Sequence, residues 1–138
     1  MKSGDLTSVR WYFDESVLGA AKHLSGSRSD ITYPGHQLVP DLPLGVRDPD
    51  WMAIVAARDW IAVTRDRRIR SRPGELAILR ESGLRIVWFT GKKDLRPSEQ
   101  AELFVRNLAR IEQQTIKLGA GPWGLGLSQA GVRPFPLR

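Results

Sequence analysis

The chain has 138 residues, 41% of them hydrophobic, and no cysteine. That length suits one domain and excludes two comfortable ones, while the missing cysteine excludes a disulfide framework and any thiolate metal site. The formal charge is +6, with arginine supplying 16 of the 21 basic residues, so a polyanionic partner is favoured: nucleic acid is the common one, and by charge alone an acidic protein serves equally well.

No charge-free run approaches the ~20 apolar residues that a membrane-spanning helix requires, so a membrane partner is not expected. The segment Met1-Lys2-Ser3-Gly4-Asp5 has no apolar core of a secretion signal, which makes a cytoplasmic location the expectation.

Residues 9–13, Val-Arg-Trp-Tyr-Phe, predict a strand, closed by Asp14. Val17, Leu18, Ala21 and Leu24 then recur at helical spacing until Ser25-Gly26-Ser27 ends the helix. A short strand is predicted through Ile31-Thr32-Tyr33, and Pro34, Gly35, Pro40, Pro43 and Gly45 punctuate a long connection expected to border a site. Asp48 followed by Pro49 predicts an N-cap with proline in the first turn, opening a helix to about Arg58.

The apolar run Trp60-Ile61-Ala62-Val63-Thr64 predicts the next strand, closed by Asp66. Arg65, Arg67, Arg68, Arg70 and Arg72 form the densest charge in the chain, ended by Pro73-Gly74. Leu76 to Leu79 predict a helix stopped by Gly83, and Leu84 to Phe89 another strand. Strands alternating with helices imply an α/β fold with a mainly parallel sheet and right-handed crossovers. Pro97-Ser98-Glu99 opens the longest predicted helix, with Ala101, Phe104, Val105, Leu108, Ile111 and Thr115 on one face, ending near Gly119. One domain, 1–138, is expected, with its core over about 9–118. The Gly/Pro-rich tail 119–138 holds a hairpin, Trp123–Leu127 against Val132–Leu137, which Pro134 and Pro136 restrict to an edge.

In an open α/β sheet, ligands gather outside the carboxyl ends of the strands. Asp14 and Asp66 both stand there, and Asp48-Pro49-Asp50 offers a third acid. Each alone has an ordinary explanation: Asp14 and Asp48 as helix caps, Asp66 as a turn residue. Gathered at one sheet end, however, three acids repel one another unless a cation or proton neutralises them. Magnesium suits such oxygen ligands and retains waters that it can activate. No competing nucleophile is evident, since His23 and His36 show no pairing with a serine and an acid.

Phe13-Asp14-Glu15 at a strand end, Asp48 opening a helix and Thr64-Arg65-Asp66 eighteen residues later resemble the pattern of the PIN-like nucleases over roughly residues 9–90. Within them the chain is most similar to the VapC-type toxins of bacterial toxin–antitoxin pairs. The resemblance implies a three-layer α/β/α domain and a Mg²⁺- or Mn²⁺-dependent endoribonuclease inhibited by a cognate antitoxin. Its catalytic and metal-binding acids would be Asp14, Asp48 (or its neighbour Asp50) and Asp66. Relatives often carry a further acid two residues after the Thr-Arg-Asp motif, where this chain has Arg68; Glu15 or Asp50 could compensate.

Thr64 is a supporting residue by this reading, bonding an acidic ligand or phosphate, or serving only strand propensity. Arg65, Arg67, Arg68, Arg70 and Arg72 form either an RNA-backbone track or a solvated loop. Among the tryptophans, Trp51 is the candidate for stacking on an unpaired base, the others being core. The long apolar helix face covers the sheet or forms a homodimer contact. Two competing functions are a receiver-like domain, with Thr90-Gly91-Lys92 after the last strand, and a non-catalytic nucleic-acid-binding module.

Overall fold

In the computed structural model, which describes residues 6–137, the strands are β1 (Trp11–Phe13), β2 (Ile31–Thr32), β3 (Ile61–Thr64), β4 (Arg85–Phe89), β5 (Trp123–Ser128) and β6 (Gly131–Pro134). The helices are α1 (Leu18–Ser25), α2 (Asp48–Ala57), α3 (Arg68–Ser71), α4 (Pro73–Ser82), α5 (Pro97–Arg106) and α6 (Leu108–Leu118). One sheet in the order β2-β1-β3-β4-β5-β6 joins all the strands, parallel throughout except for the antiparallel edge strand β6.

Strand alternation divides the core between the two faces of the sheet. Trp11 and Phe13 of β1, Val63 of β3 and Val87 of β4 pack with α1, α5 and α6 on one side. Tyr12, Ala62, Ile86 and Trp88 pack with α2, α3 and α4 on the other. Strands β1, β3, β4 and β5 are buried on both faces almost throughout, which explains their continuous apolar runs. The result is the expected three-layer α/β/α arrangement. Among the described residues no helix is long and apolar enough to cross a membrane.

Three elements differ from expectation. The long helix predicted over 97–119 is two helices, broken at Asn107, whose Nδ2 donates to the Leu103 carbonyl at 2.9 Å. Asparagine competes in this way with the helical ladder. The bend lets Phe104 and Ile111 both reach the sheet but turns Val105 out to solvent. Within the basic run, Arg68–Ser71 forms a single turn, and Pro73 starts α4 rather than merely ending the run.

The tail is the third difference. The hairpin and its edge position are as expected, but β5 pairs in parallel with β4, and Leu125 and Leu127 are fully buried. The core therefore extends beyond residue 118. Gly124 makes this docking fit: a Cβ there would lie 2.7 Å from the Phe135 carbonyl oxygen and 2.8 Å from the Trp88 ring.

Candidate acidic site

β1 and β3 are neighbours in register, Phe13 beside Val63, so their carboxyl ends finish level. Asp14 stays tied to that edge, its N–H donating to the Val63 carbonyl at 3.0 Å. It then caps the 3₁₀ turn Glu15–Val17 by accepting the Ser16 N–H at 3.1 Å. The capping expectation is met, but the carboxylate does more. The Ser16 hydroxyl donates to Oδ1, and Thr64 Oγ1 donates to Oδ2 at 2.6 Å.

Asp14 is only 4% exposed. Burial raises its pKa from 3.8 to about 7; Asp48 and Asp66 push the same way, against the Ser16 and Thr64 hydrogen bonds. Thr64, fully buried, also accepts the Asp66 N–H at 3.0 Å and thereby links the two acids.

Asp66 follows β3 and is held by Arg68. The Arg68 backbone N–H and Nε each reach Oδ1 at 3.0 Å, and Nη2 reaches Oδ2 at 3.3 Å. Burial works against this carboxylate, but the Arg68 hydrogen bonds prevail and hold its pKa below the ordinary value.

Asp48 is the first residue of α2 and Arg47 its N-cap, one position from expectation, and the Asp48 carboxylate makes no cap. Its Oδ1 instead accepts the Trp51 indole N–H at 2.9 Å. Glu75 of α4 is hydrogen-bonded to it, and the Glu75 pKa is raised by burial and then by that bond. Arg72 Nη1 reaches Glu75 Oε2 at 3.3 Å. Glu15 lies at the rim, its Oε1 accepting the Gly45 N–H at 2.7 Å and so tying the long connection to the site.

Asp14, Glu15, Asp48 and Asp66 line one cavity of about 290 Å³, with Tyr12 and Arg68 also in its wall. Asp50 is exposed on α2 and does not line it. Neither Ser16 nor Glu75 stood out in the sequence: a serine two residues past an acid and a glutamate in an amphipathic helix carry no local signal.

Trp51 does line the acidic cavity, as a residue near its mouth was expected to, but its ring is not open for stacking on a base. At 2% exposure it packs in the core against Tyr12, with ring centroids 5.3 Å apart, and the other four tryptophans are buried too. Every arginine of the basic run has an intramolecular contact. Arg65 pairs with Asp94, Arg67 Nη2 donates to the Thr90 and Gly91 carbonyls, and Arg70 stacks over Phe135; Arg68 and Arg72 hold Asp66 and Glu75. Lys92, the cation needed by a receiver-like site, lines a different cavity from Asp14 and Asp66.

The family described as PIN like domain matches residues 10–91, more than half of the chain and the segment that holds all these acids. The chain belongs to the PIN-like domain family. No curated protein and no solved structure matches it. PIN-like domains are generally nucleases, so membership supports a hydrolase.

The donor set of this PIN-like site suits a hard divalent cation in kind, because carboxylates from three sheet-end segments face one cavity. The Tyr12 hydroxyl, buried in that wall, finds no hydrogen-bond partner among the described residues. A buried polar atom left unpaired beside carboxylates marks a place for water or a ligand. As the side chains lie, no group of three acids or histidines among the described residues closes on one ion. The hydrogen bonds above say why: Arg68 holds Asp66, Trp51 and Glu75 hold Asp48, and two hydroxyls hold Asp14.

Proposed function

We propose that this PIN-like domain is the toxin of a type II toxin–antitoxin pair: a VapC-type, divalent-metal-dependent endoribonuclease that hydrolyses RNA phosphodiester bonds and is inhibited by a cognate antitoxin. The observation that carries the nuclease reading is the convergence of Asp14, Glu15, Asp48 and Asp66 on one cavity at the carboxyl end of the sheet. The toxin role rests on resemblance and on the basic charge of the chain.

Asp14, Asp48 and Asp66 would hold Mg²⁺ or Mn²⁺, with Glu15 as a further ligand; once bound, such an ion polarises a phosphate oxygen and lowers the pKa of a water. The chain itself supplies position and protons. Ser16 and Thr64 fix the Asp14 carboxylate, while Trp51 and Glu75 fix Asp48. Tyr12 remains protonated, because burial and the neighbouring acids raise its pKa, so its hydroxyl is a donor for a phosphate oxygen or water. Arg68, 68% exposed, has the freedom to leave Asp66 for a substrate phosphate.

One observation favours a second reading, a non-catalytic RNA-binding module: the Arg68 guanidinium already supplies a positive charge to Asp66. The two are separated by expressing wild type, Asp14→Asn and Asp66→Asn from a tightly controlled promoter while following growth and RNA integrity, with purified proteins assayed in Mg²⁺ and in chelator. The nuclease reading expects cleavage by wild type alone and none in chelator. RNA binding without cleavage, or equal toxicity and chelator-resistant cleavage by all three proteins, would sink it.

A further inference from the structure

The segment after β3 runs between two cavities. Asp66 and Arg68 line the acidic one, whereas Arg65 and Arg67 line a larger one of about 650 Å³. That volume lies within the range of small-molecule pockets. Phe89, Leu103 and Leu127, all nearly or fully buried, give it an apolar floor. Lys92 and Lys93, from the connection between β4 and α5, join the two arginines in its wall, so four cations face a single carboxylate, Asp94.

The cations are not all equally available. Arg65 Nη1 is paired with Asp94 at 2.6 Å, but Asp94 is 87% exposed and held by nothing deeper. Arg67 is fixed on the loop by the carbonyls of Thr90 and Gly91, at 2.8 and 3.1 Å, which leaves its charge in place at the cavity.

The side chain of Gln100 supplies a different signal. It lies on α5, is 4% exposed and lines this cavity; no described residue holds its amide, whose atoms are not sealed off but open to the cavity. A primary amide presents a donor beside an acceptor, and here both are free to meet whatever enters the cavity. The complementary ligand therefore offers an acceptor beside a donor. Nucleobase edges do so, and a base also has the apolar faces that the floor suits, with phosphates for the surrounding cations.

We propose that this cavity is a nucleotide subsite of the RNA substrate: it takes the base neighbouring the scissile phosphate, with Gln100 against its edge and Arg67, Lys92 and Lys93 on the flanking phosphate. Asp66 and Arg67 are adjacent in the chain, so an RNA strand crossing this segment meets the acids with one phosphate and the subsite with the next nucleotide. The assignment rests on the nuclease reading for its substrate, but its signature is base preference in binding, which needs neither metal nor cleavage.

The test measures anisotropy of fluorescein-labelled oligo(A), oligo(C), oligo(G) and oligo(U) RNA with the whole protein in chelator, beside calorimetry with the four free nucleoside monophosphates. Wild type is expected to prefer one homopolymer over the weakest by about five-fold or more, the scale of one amide–base contact. Gln100→Leu, similar in size and apolar, should level that preference. Lys92→Ala with Lys93→Ala should weaken all four RNAs together and flatten their salt dependence. Because Gln100 is buried, Ala130→Trp provides a second probe: Ala130 is exposed in the β5–β6 turn and lines the same cavity, so the indole should block it from outside.

Preference unchanged in both Gln100→Leu and Ala130→Trp, or no RNA binding by wild type, would overturn the subsite. Free mononucleotides binding as tightly as RNA would overturn it too, assigning the cavity to a free nucleotide. Failure of cleavage alongside a Gln100-dependent preference would instead remove the nuclease reading and leave an RNA-binding subsite.

Discussion

Arg68 grips both carboxylate oxygens of Asp66 through its side chain, placing a positive charge at one wall of a cavity otherwise lined by acids. The guanidinium occupies one lone pair on each oxygen and its charge repels a divalent cation, so Arg68 weakens metal binding at Asp66. Arg68→Ala is expected to raise Mn²⁺ affinity about two- to five-fold, the modest scale fitting an exposed ion pair. Arg68→Lys, which keeps the charge but not the fork, should fall between. Calorimetric titration of Mn²⁺ at pH 8 reads both; unchanged or weaker binding by the alanine variant would overturn this.

Asp14 is expected to make the metal-free protein less stable as pH rises. Its pKa is raised from 3.8 in the unfolded chain to about 7 in the fold, so the folded state holds the proton more tightly. The group is neutral in both states only well below 3.8; as pH rises from there to 7 the unfolded chain ionises first, and stability is lost. Above about 7 the cost is complete. Asp14→Asn should therefore be more stable than wild type at pH 8, by on the order of 2–4 kcal/mol, with the difference shrinking toward pH 4. Urea denaturation in chelator at pH 4, 6 and 8 measures it. A pH-independent difference would assign the effect to packing rather than to the buried charge.

Thr64 contributes a hydroxyl where a β-branched apolar residue would satisfy the strand. Thr64→Val preserves shape and deletes both the 2.6 Å bond to Asp14 and the acceptor for the Asp66 N–H. The expected loss is about 1–3 kcal/mol at pH 8, where Asp14 is charged, and less at pH 5. Thr64→Ser keeps the hydroxyl and should recover most of it. A loss in Thr64→Ser with none in Thr64→Val would point to the methyl instead of the hydroxyl.

Strand ends were the legible part of this site, because an acid that closes an apolar run is visible locally: Asp14 and Asp66 stand where the runs stop. Partners contributed by distant elements were not. Asp48 and Asp50 look equivalent two residues apart on one helix, and only the packing of Trp51 under Asp48 and of α4 beside it distinguishes them. The arginine run read as free charge because its anchors, Asp94, the Thr90 carbonyl and Phe135, lie more than 20 residues away. The alternation of strands and helices predicted the parallel sheet, whereas Asn107 in a long apolar periodicity gave too weak a signal for a helix break.

The same difficulty concealed the role of the C-terminal segment, and Gly124 tests it. Glycines and prolines made residues 119–138 resemble an appendage, yet Gly124 sits in β5 where the Trp88 ring and the Phe135 carbonyl fill the place a Cβ would take. Trp88 in turn donates its indole N–H to the Asp66 carbonyl at 3.2 Å, so this packing continues to the acidic site. Glycine is ordinarily poor in a strand and is used there when another group must approach closely. Gly124→Ala puts a methyl into contacts of 2.7 and 2.8 Å and cannot be relieved by rotating a flexible chain end, since one neighbour is backbone and the other a fully buried ring. The expected cost is about 1–3 kcal/mol by thermal or urea unfolding, the usual range for overpacking. Gly119→Ala is a poor control, because its φ of 69° is itself unfavourable to alanine. Gly74→Ala, in α4 with open space around it and ordinary φ, is the suitable one and should be neutral or stabilising. If Gly124→Ala unfolds with the wild-type midpoint, the final strands are an appendage after all, and the path from them through Trp88 to Asp66 carries no structural weight.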